Sequence, residues 1–245
     1  MKYTFATVAI LATTVLAAPT ATAFPAAAGE TALPTAKVIS GTFDGKMVRY
    51  SRNPDTCKDQ TETDEAAAMF IAEDGAVIKN VILSKAQAEG IHCRGACTLE
   101  NVWWEDVCED AATFKQPAGK TSYVIGGGAR HAADKIFQFN GRGTVSIKNF
   151  YAEDYGKLIR SCGDCTANGG PRNIIVDGVT AKDGGPLCGV NSNYGDTCKI
   201  SNSCQSNKKD CDRYTGVVKG NGSSKKIGTG PDGKSCIVTG FTSTC

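Results

Sequence analysis

Histidine and tryptophan are almost missing from this chain of 245 residues, with two of each. So few histidines make a histidine-rich metal centre implausible. The short cysteine spacings CRGAC (93–97) and CGDC (162–165) therefore read as disulfides rather than zinc ligands. An excess of one charge is missing too: 27 Lys and Arg stand against 25 Asp and Glu, a formal net charge of +2. No global field draws the protein to nucleic acid or to an anionic membrane surface, so a charged ligand must meet a local cluster. Beyond the first two dozen residues, no apolar run is long enough to cross a bilayer. Apolar stripes with the 3.6-residue period of an amphipathic helix are also absent.

What is present begins with a leader. "MKYTFATVAILATTVLAAPTATAF" has one Lys, an apolar run and then small residues, the layout of a secretory signal peptide ending at Ala17 or Ala23. Twelve cysteines, all from Cys57 onward, suit the oxidising compartment to which such a leader sends a chain. The expectation is a secreted, extracellular and monomeric protein. Asn221-Gly222-Ser223 has the N-x-S pattern of an acceptor for an N-linked glycan. The loop "GTGPDGKSC" (228–236) lacks the strand-to-helix setting of a phosphate loop and reads as a turn.

A weak repeat runs through the rest. "GAVIKNVIL" (75–83), "ACTLENVWWED" (96–106), "TSYVIGGGA" (121–129), "GTVSIKNFYAED" (143–154), "PRNIIVDGVTAKD" (171–183) and "DTCKISNSC" (196–204) each read as a strand with Asn or Gly at one register position. Those positions are Asn80, Asn101, Gly126, Asn149, Gly178 and Asn202, spaced by 21, 25, 23, 29 and 24 residues. One three-strand turn of a parallel β-helix takes about that length, and stacked Asn side chains can hydrogen-bond along its axis. A leucine-rich horseshoe has a similar period but needs an L-x-x-L-x-L pattern that is not there. The reading is an all-β, single-domain parallel β-helix stapled by disulfides. Residues 24–37 are expected as a flexible or partly removed N-terminal segment, 38–207 as the solenoid, and 208–245 as a Cys-rich segment packed on it.

Counting nine residues on from Asn80, Asn101 and Gly126 reaches Glu89, Asp110 (with Glu109 beside it) and Lys135. Eight and eleven on from Asn149 reach Lys157 and Arg160. Equivalent positions on successive turns lie about 5 Å apart. Glu89, Glu109 or Asp110, Lys135, and Lys157 or Arg160 are therefore expected in one column, with oxygen ligands suited to Ca²⁺ at one end. Cations suited to an acidic polymer stand at the other. In "WWEDVCEDAATFK", Glu105-Asp106 matches the "YAED" at 151–154 and is expected to be structural, while Glu109-Asp110 falls in the column. Of Trp103 and Trp104, at most one is expected in the core. His92 is expected to pack beneath the site and His131 to be exposed in a loop.

"NVILSKAQAEGIHCRGACTLENVWWEDVCEDAATFK", "DKIFQFNGRGTVSIKNFYAEDYGKLIRSCGDC" and the opening "GTFDGK" resemble pectate lyases of polysaccharide lyase family 3, over about residues 38–190. That resemblance implies a right-handed parallel β-helix, secreted and Ca²⁺-dependent, that cleaves polygalacturonate (pectin's homogalacturonan) by β-elimination. By position it implies Glu89, Glu109 and Asp110 as Ca²⁺ ligands; relatives often carry Asp at the first. It implies Lys135, Lys157 and Arg160 as the catalytic cations, with Lys115, Lys135 and Lys157 binding substrate. Arg160 is the implied base and Lys157 the alternative whose pKa needs the smaller shift. Two rival readings are a non-catalytic pectate-binding protein on the same fold and a polygalacturonase-type hydrolase. The hydrolase would need N-T-D, D-D, G-H-G and R-I-K blocks that are missing.

Overall fold

The computed structural model describes residues 22–245, so the expected leader falls almost wholly outside the described residues. The strand Ala76–Leu83 shows how one turn is built. Val77–Lys79 pair in parallel with Thr98–Glu100 in a first sheet, and Val81–Leu83 with Val102–Trp104 in a second. Asn80 stands at the corner between them with φ 54°. Asn101, Gly126, Asn149, Gly178 and Asn202 turn the same corner on later rungs, at φ between 47° and 68°. Left-handed backbone is open to Gly and, among residues with a side chain, best tolerated by Asn. The repeat in the sequence is thus chiefly a backbone requirement.

The Asn ladder forms only in part. Asn101 Nδ2 donates to Asn80 Oδ1 at 2.9 Å, and Asn80 Nδ2 donates to Asp44. Further along, Asn202 bonds Asp177 instead. At Gly178 a Cβ would lie 2.5 Å from Asn149 Oδ1, so the glycine there makes room for its neighbour's amide.

The third sheet carries Glu89, Asp110, Lys135, Lys157 and Arg160. It stacks Lys37–Ile39, Ala68–Ala72, Glu89–Cys93 and Asp110–Phe114. The second halves of Gly128–Phe139 and Tyr151–Ser161 continue it, followed by Cys188–Asn191 and Cys211–Thr215. All these pairs are parallel, and Lys225–Thr229 closes the end as an antiparallel partner of Cys211–Thr215. The architecture is the parallel β-helix expected from the repeat.

Stacking puts like residues on like. Ile78, Leu99, Val124, Ile147, Val176, Ile200 and Val238 occupy one register position of the first sheet over seven rungs. The first six are buried. Trp104 is wholly buried against Phe137 and Phe150. Trp103, on the other face of its strand, is buried under Phe24 from the N-terminal segment, with ring centroids 5.1 Å apart. Residues Glu30–Leu33 of that segment pair with Arg49–Arg52 and extend the stack.

Cys93–Cys97 and Cys162–Cys165 are disulfides, as their spacing suggested, and Cys57–Cys108, Cys188–Cys198 and Cys204–Cys245 complete five. Of the six cysteines from Cys188 onward, Cys211 and Cys236 are buried and unlinked. Glu105 is structural as expected: both of its oxygens take Arg49 at 2.8 Å. His131 is exposed, but at a strand corner with φ 60° rather than in a loop, and it holds Asp154. Within "GTGPDGKSC", Asp232 accepts from the backbone N–H groups of Lys234, Ser235 and Cys236, which makes the segment a capped turn.

Candidate active site

Glu89 pairs in register with Asp110, and the rungs that follow place Lys135 beside Lys157. The unequal counts to Lys135 and Lys157 are reconciled by a bulge between Ala132 and Lys135. Arg160 is not in that column. It belongs to a row three residues later, between Gln138 and Gly189 and alongside His92 and Thr113. That row alternates with the buried Ile91, Ala112, Phe137 and Ile159, so it faces outward.

Oxygens of Glu89, Glu109 and Asp110 lie within 4.8 Å of one another, and all three residues are buried. Thr63 Oγ1 donates to Glu89 at 3.1 Å, and His92 Nε2 lies 3.0 Å from its other oxygen. Lys115 Nζ stands 3.2 Å from His92 Nδ1. An ammonium can only donate, so Nδ1 accepts and the ring presents Nε2–H to Glu89. His92 is thus buried at the site and links Lys115 to the acidic cluster.

Burial pushes the Asp110 carboxyl well above its usual range, and the neighbouring Glu109 and Glu89 add to this against the pull of Lys135. Lys135 Nζ is 3.3 Å from Glu109, 3.1 Å from Asp110 Oδ1 and 3.1 Å from Asp134. Burial works against its charge, but Asp110, Glu109 and Asp134 outweigh it and raise its pKa. Although Lys135 is close, Asp110 Oδ1 accepts no well-directed hydrogen bond. A buried oxygen without a hydrogen bond inside a three-carboxylate cluster is a donor set fitted to a hard cation with oxygen ligands.

Two carboxylates that the sequence reading passed over join this site. Glu62 lines the same cavity of about 230 Å³, and its pKa is raised by burial first and then by Glu109. The Cys57–Cys108 disulfide holds its loop there, next to Glu109. Asp134 bridges the column, accepting from Lys157 at 2.8 Å and from Lys135. Its place beside Lys135 in "DKIFQF" was the only sequence signal for it.

Arg160 is 8% exposed and, among the described residues, pairs with no carboxylate. Its guanidinium donates to the Ser161 and Gly189 carbonyls, to Asn191 Oδ1 at 2.9 Å and to Ser224 Oγ at 2.9 Å. The Tyr214 ring lies 3.9 Å from its carbon. Burial lowers the Arg160 pKa, with Tyr214 and more distant acids opposing. Asn191, Tyr214 and Ser224 come from the last rungs and a C-terminal loop, and no sequence spacing linked them to Arg160.

The family model described as "Pectate lyase" matches residues 21–221. The chain belongs to the pectate lyase family. A probable pectate lyase F of Aspergillus terreus is 51% identical over 179 residues, 73% of this chain and 76% of its own. Pectate lyase E of Emericella nidulans is 44% identical over 207 residues, covering 84% and 81%. Among solved structures, the catalytic domain of pectate lyase PelI from Erwinia chrysanthemi aligns with TM-score 0.70 at 35% identity, over 88% of this chain and 97% of that one. PelI in complex with tetragalacturonic acid aligns with the same TM-score at 36% identity, over 84% and 68%. This pectate lyase is therefore an enzyme of the polysaccharide lyase class, and its charged column lies on a fold shared with enzymes of that activity.

Proposed function

We propose that this pectate lyase is a secreted, Ca²⁺-dependent enzyme that cleaves polygalacturonate by β-elimination, with Glu89, Glu109 and Asp110 holding the ion. The observation that carries this is the buried three-carboxylate cluster with Lys135 and Lys157 on the adjoining rungs. Ca²⁺ bound there would supply positive charge to a substrate carboxylate and so acidify the C5 proton next to it. Export accords with the five disulfides; among the described residues no helix is long and apolar enough to cross a membrane.

The chain's own residues divide the rest of the work. Lys135, held cationic by three acids, stabilises negative charge on the uronate rather than accepting a proton. Lys157 and Lys115 bind carboxylates and orient the chain. Arg160 acts as the base: it has only neutral acceptors around it, and burial makes its neutral form more accessible than in water. It takes the C5 proton, the C5–H electrons form the C4=C5 bond, and O4 leaves with the electrons of the C4–O4 bond and gains a proton from solvent. A base of this kind gives a rate that climbs on the alkaline side of neutrality.

Elimination leaves a conjugated C=C bond that absorbs in the ultraviolet. Incubation with polygalacturonate at alkaline pH is expected to raise that absorbance, and a Ca²⁺ chelator is expected to abolish the rise. New reducing ends without absorbance would replace this reading with hydrolysis. Binding without either product would replace it with a non-catalytic role.

A further inference from the structure

The column of charge does not stop at Lys157. Continuing the register, Leu158 and Leu187 donate their backbone N–H to the Pro186 and Lys209 carbonyls, so Pro186 and then Lys209 occupy the next two rungs. Around them opens a cavity of about 670 Å³ lined by Lys157, Lys208, Lys209, Lys226, Asp212 and Tyr214, among others. Lys226 is paired with Asp212 at 2.8 Å and Lys157 with Asp134. Lys208 and Lys209 are exposed and, among the described residues, form no ion pair. Four lysines against Asp210 and Asp212 leave the lining of the cavity with a net positive charge. The cavity is open, and it is continuous with the site through Lys157, which lines it.

We propose that Lys208 and Lys209, with Lys226, form a distal anion subsite that takes carboxylates of a long, unesterified polygalacturonate chain beyond the sugars at the reacting centre. This rests on the proposed lyase function. Asp110 and Lys209 are four rungs apart, about 19 Å at the usual strand spacing. A 1,4-linked uronate chain advances by about one rung per sugar, so a chain along the solenoid axis presents a carboxylate about every rung or every second one. A trimer seated at the acidic cluster is too short to reach Lys209. The subsite therefore selects for chain length and for free, rather than methyl-esterified, carboxylates at a distance from the chemistry.

The test is the double variant Lys208→Asn, Lys209→Gln, since Asn tolerates the left-handed backbone of Lys208, at φ 59°. Affinity electrophoresis through polygalacturonate reads binding without reference to turnover, and initial rates are measured on polygalacturonate and on trigalacturonate. The expected result is a weakening of polymer binding by ~3- to 10-fold at low salt, the scale of two exposed ion pairs. The difference should shrink as salt is added, and trimer cleavage should be unchanged. Polymer binding equal to wild type, with the wild type active, overturns the subsite and leaves the lyase reading standing. Wild type that binds polymer through these lysines yet makes no unsaturated product sinks the lyase reading and leaves the subsite. Lys209→Glu, which reverses the charge instead of removing it, should weaken binding further. An unchanged mobility for it would likewise overturn the subsite.

A separate observation concerns the two unlinked cysteines. Cys188 pairs in register with Cys211, and Cys198 with Cys236. Since Cys188 and Cys198 are joined across the interior, Cys211 and Cys236 face each other at the same two positions one rung later. We infer that they close a sixth disulfide during export. The two thiols give up two electrons and two protons to a disulfide oxidant of the secretory compartment, which is reduced to a dithiol. Alkylation of the exported protein under denaturing, non-reducing conditions followed by peptide mapping should find a linked Cys211–Cys236 peptide and no labelled thiol. Two alkylated cysteines at these positions would overturn it.

Discussion

Arg160 and Lys157 lie three residues apart on one strand, yet the fold gives them opposite surroundings. Lys157 sits on Asp134, while Arg160 is enclosed by carbonyls, an amide, a hydroxyl and an aromatic ring. If Arg160 is the base, Arg160→Lys should lower kcat by ~10²- to 10⁴-fold, the usual weight of a general base, with a small change in KM. Lys157→Ala should act mostly on KM. The reverse split in steady-state kinetics would transfer the role to Lys157. Which of the two belonged in the column was undecidable from counting, because a bulge in the preceding strand adds a residue that spacing cannot show. Glu89, Asp110 and Lys135 were legible because their rungs count alike from the corner. Glu62, Asn191 and Ser224 were not: they reach the site from loops and other rungs, and a loop has no period to count; Asp134 was hidden because it sits in the bulge beside Lys135.

The loop that carries Glu62 and Thr63 is fixed at the site by few devices. Cys57–Cys108 ties one side, and Gln60 donates to the Cys108 carbonyl. Replacing both cysteines with serine should leave the solenoid folded by circular dichroism while weakening Ca²⁺ affinity in a calorimetric titration. Unchanged affinity would show that the loop only covers the ligands. A second local element gives a pH signature. Slight desolvation opposes charge on Asp232, but the backbone N–H groups of Cys236, Lys234 and Ser235, and Arg213, outweigh it and lower its pKa to about 2. A depressed carboxylate adds stability above its unfolded pKa and loses it as pH falls through the folded value. Asp232→Ala should therefore lower Tm at neutral pH, and the gap from wild type should narrow as the pH is taken from 4 towards 2. A gap that stays constant would assign the effect to packing instead. The corners from Asn80 to Asn202 were readable in advance because Asn and Gly tolerate their left-handed backbone best, although the reason is backbone conformation more than the amide ladder the spacing suggested.

Over the whole molecule, stability comes from stacking each rung on the next. Ile147 is buried between Val124 and Val176 in the aliphatic column, so Ile147→Ala should cost ~2–5 kcal/mol in denaturant unfolding. A much smaller loss would mean that the column relaxes around the gap. This column was visible in the sequence as the apolar residue two places before each corner from Asn80 to Asn202. The burial of Trp103 was not, since Phe24 covers it from a segment with no repeat of its own. The corners are 21 to 29 residues apart along the chain, yet the sheets between them keep one spacing through space. Length added to a loop between rungs is therefore absorbed outside the stack and leaves the ruler of charges intact. Descendants of this sequence could lengthen or shorten their loops, and so remodel the surroundings of the column, while the spacing of the acidic cluster, Lys135 and Lys157 stays fixed by the sheet.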